Sequence, residues 1–238
     1  MIDIVMPCFI QNEETLELTK SAISSLGECR LIVVDNNSSI GGGLLRGVAE
    51  IYIRNNENLG YAKAVNQGLK LSGGEFVAVA NNDIRVSPNW QEVAMLQIGL
   101  YKNSAEDILG TLHFRMTDYD VPFEYGKGTW TTNKERWCTG SFFVMRNKWL
   151  FDENFLNSYD DWDLQYRIRK KGYQTCYTDM ACYQHHHSFT QKQIGEREEN
   201  NQRNREYFKK KWEAYAEDLF ALKYPDQMLV PYGDGFCL

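Results

Sequence analysis

The chain is 238 residues long, with 43% hydrophobic and 24% charged residues and a formal net charge of −6. This is enough for one sizeable domain or two small ones with a real core, and it excludes a disordered chain, a collagen and a small disulfide scaffold. The acidic balance argues against a protein that grips duplex nucleic acid, which needs a basic footprint, so no nucleic-acid partner is expected.

The first strand is the apolar run Ile2-Asp3-Ile4-Val5-Met6, closed by Pro7. A helix is predicted over 13–26, with Leu16, Ala22, Ile23 and Leu26 on one face and Gly27 as its stop. Leu31-Ile32-Val33-Val34 reads as a strand buried on both faces, halted by Asp35-Asn36-Asn37-Ser38-Ser39. A third strand is expected over 50–54. A second helix carries Ala62, Val65 and Leu69 and ends near Gly73-Gly74. Phe76-Val77-Ala78-Val79-Ala80 is the fourth strand, stopped by Asn81-Asn82-Asp83. This alternation predicts an α/β fold with a parallel sheet and right-handed crossovers, whose ligands bind beyond the carboxyl ends of the strands.

The stretch 100–136, with His113, Tyr119, Tyr125 and Trp130, is irregular and is expected to be a lid or an acceptor-facing insertion. A strand at 141–145, a helix at 160–171 and a strand at 175–183 follow, leading into His185-His186-His187. A long charged helix is expected over 194–222, with Phe208, Trp212, Tyr215, Leu219 and Leu222 as one apolar stripe packing on the body. The expected organisation is a catalytic domain over 1–192 and a C-terminal helix and tail over 193–238. No window approaches 18 uninterrupted apolar residues, so no transmembrane segment is expected. The six cysteines form no C-x-x-C pair and no secretory leader is visible, which points to a reduced, cytoplasmic chain.

Three strand ends, Pro7-Cys8-Phe9, Asp35-Asn36 and Asn81-Asn82-Asp83, are expected to converge on one edge, and the candidate groups there and beyond each have a functional and a plain reading. At Asn81-Asn82-Asp83 a carboxylate can hold a divalent cation that bridges phosphate oxygens, or the run can be an Asx turn. Asp35 can accept from a nucleobase N–H or a ribose hydroxyl, or cap its own turn. Asp160 and Asp161 open a helix, where an ionised carboxylate is a credible general base or an N-cap. Asp163 and Arg167 are four apart on that helix and read as a structural pair. The histidine run offers imidazole ligands for a manganese-like ion or for zinc.

In this order the pieces resemble the family 2 nucleotide-sugar glycosyltransferases, of GT-A fold, over roughly residues 1–215. Ile4-Val5-Met6-Pro7-Cys8-Phe9 is similar to the family's opening strand, and Leu31 to Ser38 to its "hhVVDNxS" element. The run from Asn55 to Gly68 resembles the "NxGxAxAxNxG" stretch of the rhamnosyltransferase-like branch. Asn81-Asn82-Asp83 stands where the family has its D-x-D-type motif, and Thr139-Gly140-Ser141-Phe142-Phe143 resembles "sGaff". Asp160-Asp161-Trp162-Asp163-Leu164 resembles "EDxDL", His185 with Ser188 the late "HxxS", and Tyr207 to Trp212 the "yFxxKW" near the end.

The resemblance implies a GT-A fold with a Rossmann-like, mainly parallel sheet and an inverting, Mn²⁺- or Mg²⁺-dependent transferase. The donor would be a UDP-, dTDP- or GDP-sugar and the acceptor a hydroxyl of a carbohydrate or glycoconjugate. It implies that Pro7 and Phe9 flank the base that Asp35 binds, and that Lys63 and Asn66 touch the diphosphate or ribose, with Asn81 and Asn82 beside the donor. Asp83 would ligate the metal with help from His185, leaving open whether His187 does so instead. Asp161 would be the catalytic base, with Asp160 as runner-up. Two departures stand out: the metal motif begins with the neutral Asn81, and the paired acids are Asp-Asp rather than Glu-Asp. Asn81 is what favours the alternative of a non-catalytic nucleotide-sugar-binding module. A Rossmann dehydrogenase is excluded, since no G-x-G-x-x-G follows the first strand.

Overall fold

A computed structural model of the chain describes residues 2–103, 108–119, 122, 123, 125, 130–132, 138–186, 197–216, 219, 230–232 and 235–237. Its elements are β1 (Asp3–Cys8), α1 (Glu13–Ser25), β2 (Arg30–Asp35), α2 (Gly42–Val48), β3 (Ile51–Arg54), α3 (Tyr61–Leu69), β4 (Phe76–Ala80), β5 (Ile84–Val86) and α4 (Trp90–Lys102). They continue with β6 (Leu109–Asp118), β7 (Trp130–Thr132), β8 (Phe142–Arg146), α5 (Asp160–Lys170), β9 (Gln174–His185), α6 (Arg197–Trp212), β10 (Val230–Tyr232) and β11 (Gly235–Cys237).

The main sheet runs β3-β2-β1-β4-β8-β6-β9-β5, with β7 also on β9. β3, β2, β1 and β4 are parallel, as the alternating strand and helix pattern requires. β8 then runs antiparallel between β4 and β6. The central strands are apolar throughout because helices cover both faces. Ile4, Met6, Val33 and Ala78 pack toward Leu26, Trp90, Val93 and Ile98 on the α1–α4 side. Val5, Ile32, Val77 and Val79 pack toward Ala62, Val65, Leu164 and Ile168 on the α3–α5 side. Gly68 lets α3 approach, since a Cβ there would lie 2.4 Å from Val5 Cγ1. α1 is capped by Asn12, whose Oδ1 accepts from Thr15 N at 2.9 Å.

Before β6, three elements lie outside the predicted pattern. α2 is rich in glycine, β5 has three residues, and α4 is apolar on nearly all sides, so none shows clear periodicity. The expected lid at 100–136 is corrected over its first half, because β6 is a sheet strand between β8 and β9. Its polar residues masked it: His113 is buried and stacks on Phe143 at 5.1 Å. The stretch 133–137, with Trp137, lies outside the described residues, as do Gly126, Lys127 and Gly128. The expected helix at 194–222 is also shorter. α6 stops at Trp212, and Glu213 takes a left-handed φ of 58°. Phe208 still packs among Phe155, Tyr159 and Tyr166, while Leu222 lies outside the described residues. No helix among the described residues is long and apolar enough to cross a membrane.

Candidate active site

Because β4 and β8 are antiparallel, the end of β4 lies beside the start of β8, with Ala80 opposite Phe142. The turn entering β8 therefore sits on the rim where the parallel strands end. Asn81 donates its backbone N–H to Ser141 O at 2.9 Å. Gly140 N donates to Asp161 Oδ2 at 3.1 Å, and Tyr61 OH donates to Gly140 O at 3.1 Å. Ser141 Oγ lies 3.3 Å from His185 Nδ1. One short turn thus ties the end of β4, the end of β9 and the first turns of α3 and α5 together.

On that rim His185 Nε2 lies 3.3 Å from Asp83 Oδ1. The pairing of Ile84 with His185, and the bond from His186 N to Asp83 O at 2.9 Å, hold the two side chains in register. Asp83 Oδ1 and Asn81 Oδ1 are both buried, and among the described residues neither accepts a hydrogen bond. Orphaned buried oxygens are uncommon, and here they stand beside an imidazole. A carboxylate oxygen, an amide oxygen and an imidazole nitrogen are suitable donors for Mn²⁺ or Mg²⁺. Among the described residues no group of three or more His, Cys, Asp or Glu side chains is placed to hold a metal.

The two acids opening α5 differ in environment. Tyr159 enters the helix with a left-handed φ of 64°. Asp160 is buried, its Oδ1 accepts from Asp161 N at 2.8 Å, and its Oδ2 has no hydrogen-bond partner among the described residues. Burial, and then the neighbouring Asp161 charge, push its carboxyl up to about 8. Asp161 is partly exposed and accepts from Gly140 N and, at Oδ1, from Trp162 N at 2.9 Å. Tyr61 is held well above the usual phenol range by burial, and then by the charges of Asp160, Asp161 and Asp83. Asp163 behaves as the structural pair expected: fully buried, it meets Arg167 Nε at 2.7 Å, Lys211 Nζ at 2.6 Å and Trp212 Nε1 at 2.9 Å.

The other expected site residues have these places in the fold. Asp35 is 0% exposed. It takes Ser38 N at 2.8 Å, Tyr52 OH at 2.6 Å and the Arg54 guanidinium, contacts that hold the 36–38 turn at the end of β2. Asn66 is buried, donating to Phe151 O and Glu153 Oε1 and accepting from Phe151 N. Asn82 is turned to α1, donating to Thr19 Oγ1 at 2.9 Å. β1 runs on through Pro7, which pairs with Val34, to Cys8 rather than closing at the proline. Pro7, and Phe9 just after the strand, are half-buried, and Lys63 is exposed on the first turn of α3. His187 lies outside the described residues, and so does Ser188. The sequence reading passed over Tyr61 and the backbone of Gly140. Both stood inside family-like motifs, but nothing in their spacing shows that a phenol and a peptide would meet there.

The sequence model described as "Glycosyl transferase family 2" matches residues 3–159. The chain belongs to that family. The match ends one residue before Asp160, so the roles of Asp160 and Asp161 rest on geometry. Among solved structures, S. aureus TarS 1–349 superposes with a TM-score of 0.59 at 14% identity, covering 76% of this chain and 59% of that one. The same protein in complex with UDP-GlcNAc gives 0.56 at 17% identity, covering 76% and 57%. GalNAc-T7 with UDP, GalNAc and Mn²⁺ gives 0.58 at 13% identity, covering 78% and 43%. The likeness establishes the GT-A fold, with the family 2 chain spanning little more than half the length of the TarS structures. No curated protein matches the chain in sequence.

Proposed function

We propose that this family 2 protein is an inverting glycosyltransferase that moves a sugar from a nucleoside-diphosphate donor to a hydroxyl of a carbohydrate or glycoconjugate acceptor. The observation that carries this is the single turn, 139–141, that fixes Asp161 on one side and His185 with Asp83 on the other. A transferase of this kind needs an ionised carboxylate and a diphosphate-neutralising centre side by side.

In this reading the UDP-, dTDP- or GDP-sugar lies over the ends of β1 and β2, against Pro7 and Phe9, with Lys63 near its phosphates. Asp83 and His185, with Asn81, hold Mn²⁺ or Mg²⁺, which supplies positive charge to the departing diphosphate. Asp161 orients the acceptor O–H and takes its proton. The acceptor oxygen bonds to the anomeric carbon as the bond to the diphosphate oxygen breaks, with inversion. Asp160 is the poorer base, since its burial favours the protonated form at neutral pH. We place the catalytic domain at 1–192, braced by the segment 193–238, in a cytoplasmic setting.

The test is a thermal-shift screen of UDP-, dTDP- and GDP-sugars with and without Mn²⁺, followed by NMR of donor turnover. Metal-dependent stabilisation by one nucleotide class with slow donor hydrolysis supports the transferase. Binding with no turnover, with or without added glycans, supports a binding module instead, the reading that the neutral Asn81 favours.

A further inference from the structure

A second cleft opens across β5 from His185. β5 pairs with β9 so that Ile84 opposes His185 and Arg85 opposes Gln184. Successive strand residues point to opposite faces, so Arg85 looks away from the His185 side. It borders an open cleft of about 710 Å³ walled by Ser21 and Ser24 of α1, Glu28, Gln91 of α4, and Phe123. The Arg85 guanidinium stands 5.9 Å from the Phe123 ring centroid, and it forms no ion pair among the described residues. Gln91 spends both amide hydrogens, on Leu26 O at 3.3 Å and Glu28 O at 2.8 Å, so its Oε1 remains as an acceptor.

One residue links this cleft to the rim described above. Tyr119 lies edge-on to His186 at 5.2 Å, and its hydroxyl is 3.5 Å from Ser21 Oγ. A ligand chain passing over Tyr119 would touch both places.

We propose that the cleft is a saccharide-binding subsite, taking units of the acceptor glycan away from the hydroxyl that reacts; the word acceptor here rests on the transferase reading. Its chemistry selects the ligand class. A sugar hydroxyl donates and accepts at once, and the walls match that mixture: Arg85 only donates, Glu28 and Gln91 Oε1 only accept, and Ser21 and Ser24 do both. An anion would meet the Glu28 carboxylate, and an apolar ligand would strand these polar groups. Phe123 offers an aromatic face for the C–H face of a pyranose, and the volume is in the range of small-ligand sites.

The experiment is saturation-transfer NMR on the full chain with the neutral oligosaccharides chitotetraose, maltotetraose, cellotetraose and a rhamnotetraose, with inorganic phosphate as the anionic rival. At least one tetrasaccharide is expected to bind, and Arg85→Ala and Ser24→Trp should each weaken it about tenfold or more. UDP binding with Mn²⁺ should be unchanged in both variants. Failure of the whole panel, sugar binding untouched by either substitution, or phosphate binding alone would each overturn the subsite. Asp161→Asn separates the two readings. Sugar binding retained in wild type and in that variant, with no transfer in either, would remove the transferase while keeping a saccharide site.

Discussion

Gly140 and Asp161 are in contact so close that no side chain fits between them. The Gly140 amide donates to Asp161 Oδ2 at 3.1 Å, and a Cβ at position 140 would lie 2.7 Å from Asp161 Cβ. Gly140→Ala must therefore displace the carboxylate. A displacement of about 1 Å in a reacting group costs on the order of 10²-fold in rate. The expected outcome is a fall in kcat of that order with donor KM little changed, measured by NMR of product formation. An alanine variant with wild-type kcat would show that the carboxylate's placement is immaterial.

Asp161→Asn keeps the size of the side chain and removes its basicity. Transfer should fall by about 10²–10⁴-fold, the usual contribution of a general base. Nucleotide affinity should stay where it is, because Asp161 faces the acceptor side in the proposed arrangement. Isothermal titration with UDP and Mn²⁺ alongside turnover measures both. Near-normal turnover would transfer the role of base to another group.

Asp83→Asn should lower nucleotide affinity when Mn²⁺ is present and leave it unaltered in EDTA, because the carboxylate acts on the diphosphate through the cation. Thermal shift with UDP reports both arms. An equal loss in EDTA would mean that Asp83 supports the rim by packing alone.

Asp160 carries a pH signature. Its folded carboxyl is raised to about 8 by burial and by Asp161, while the unfolded chain ionises near the ordinary carboxylate value. As pH climbs through that window the unfolded state has lost a proton that the folded state keeps, so stability declines, and it levels off above the folded value. Asp160→Asn removes this penalty. In EDTA its Tm should exceed wild type at pH 8 by about 2–4 °C for each kcal/mol recovered, and the gain should fade toward pH 4. A Tm difference that ignores pH would refute the titration.

Asp163→Asn should be destabilising by about 3 kcal/mol, since it leaves Arg167 and Lys211 facing a buried neutral group. Urea unfolding measures it. The loss should be in stability, with the nucleotide Kd of the folded protein unaffected.

The parts of this molecule that were legible in sequence are those governed by local rules. Ile4, Val33 and Val79 sit in uniform apolar runs, and the polar stops after them marked the binding edge. β6 was not legible, because His113 and Arg115 break its pattern and only tertiary burial makes His113 a core residue. The same limit explains the site. Asp35, Asn66 and Asn82 have the right chemistry to meet a nucleotide, and their partners in the fold, Arg54, Phe151 and Thr19, are too remote in sequence for a local window to show. Asp83, His185 and Asp161 occupy the rim because β8 runs against its neighbours, a reversal that no local window reveals.

That reversal also sets an order of events during folding. β1 to β4 are contiguous in the chain and can associate early, through short crossovers. The rim cannot, because its ties join positions 61, 81, 83, 140, 161 and 185, and the last partner is delivered only by β9. Contacts of such wide sequence separation pay their loop-closure entropy late. The reactive centre is therefore assembled after its scaffold, so a nascent chain can bury its apolar strands well before it holds the chemistry those strands exist to support.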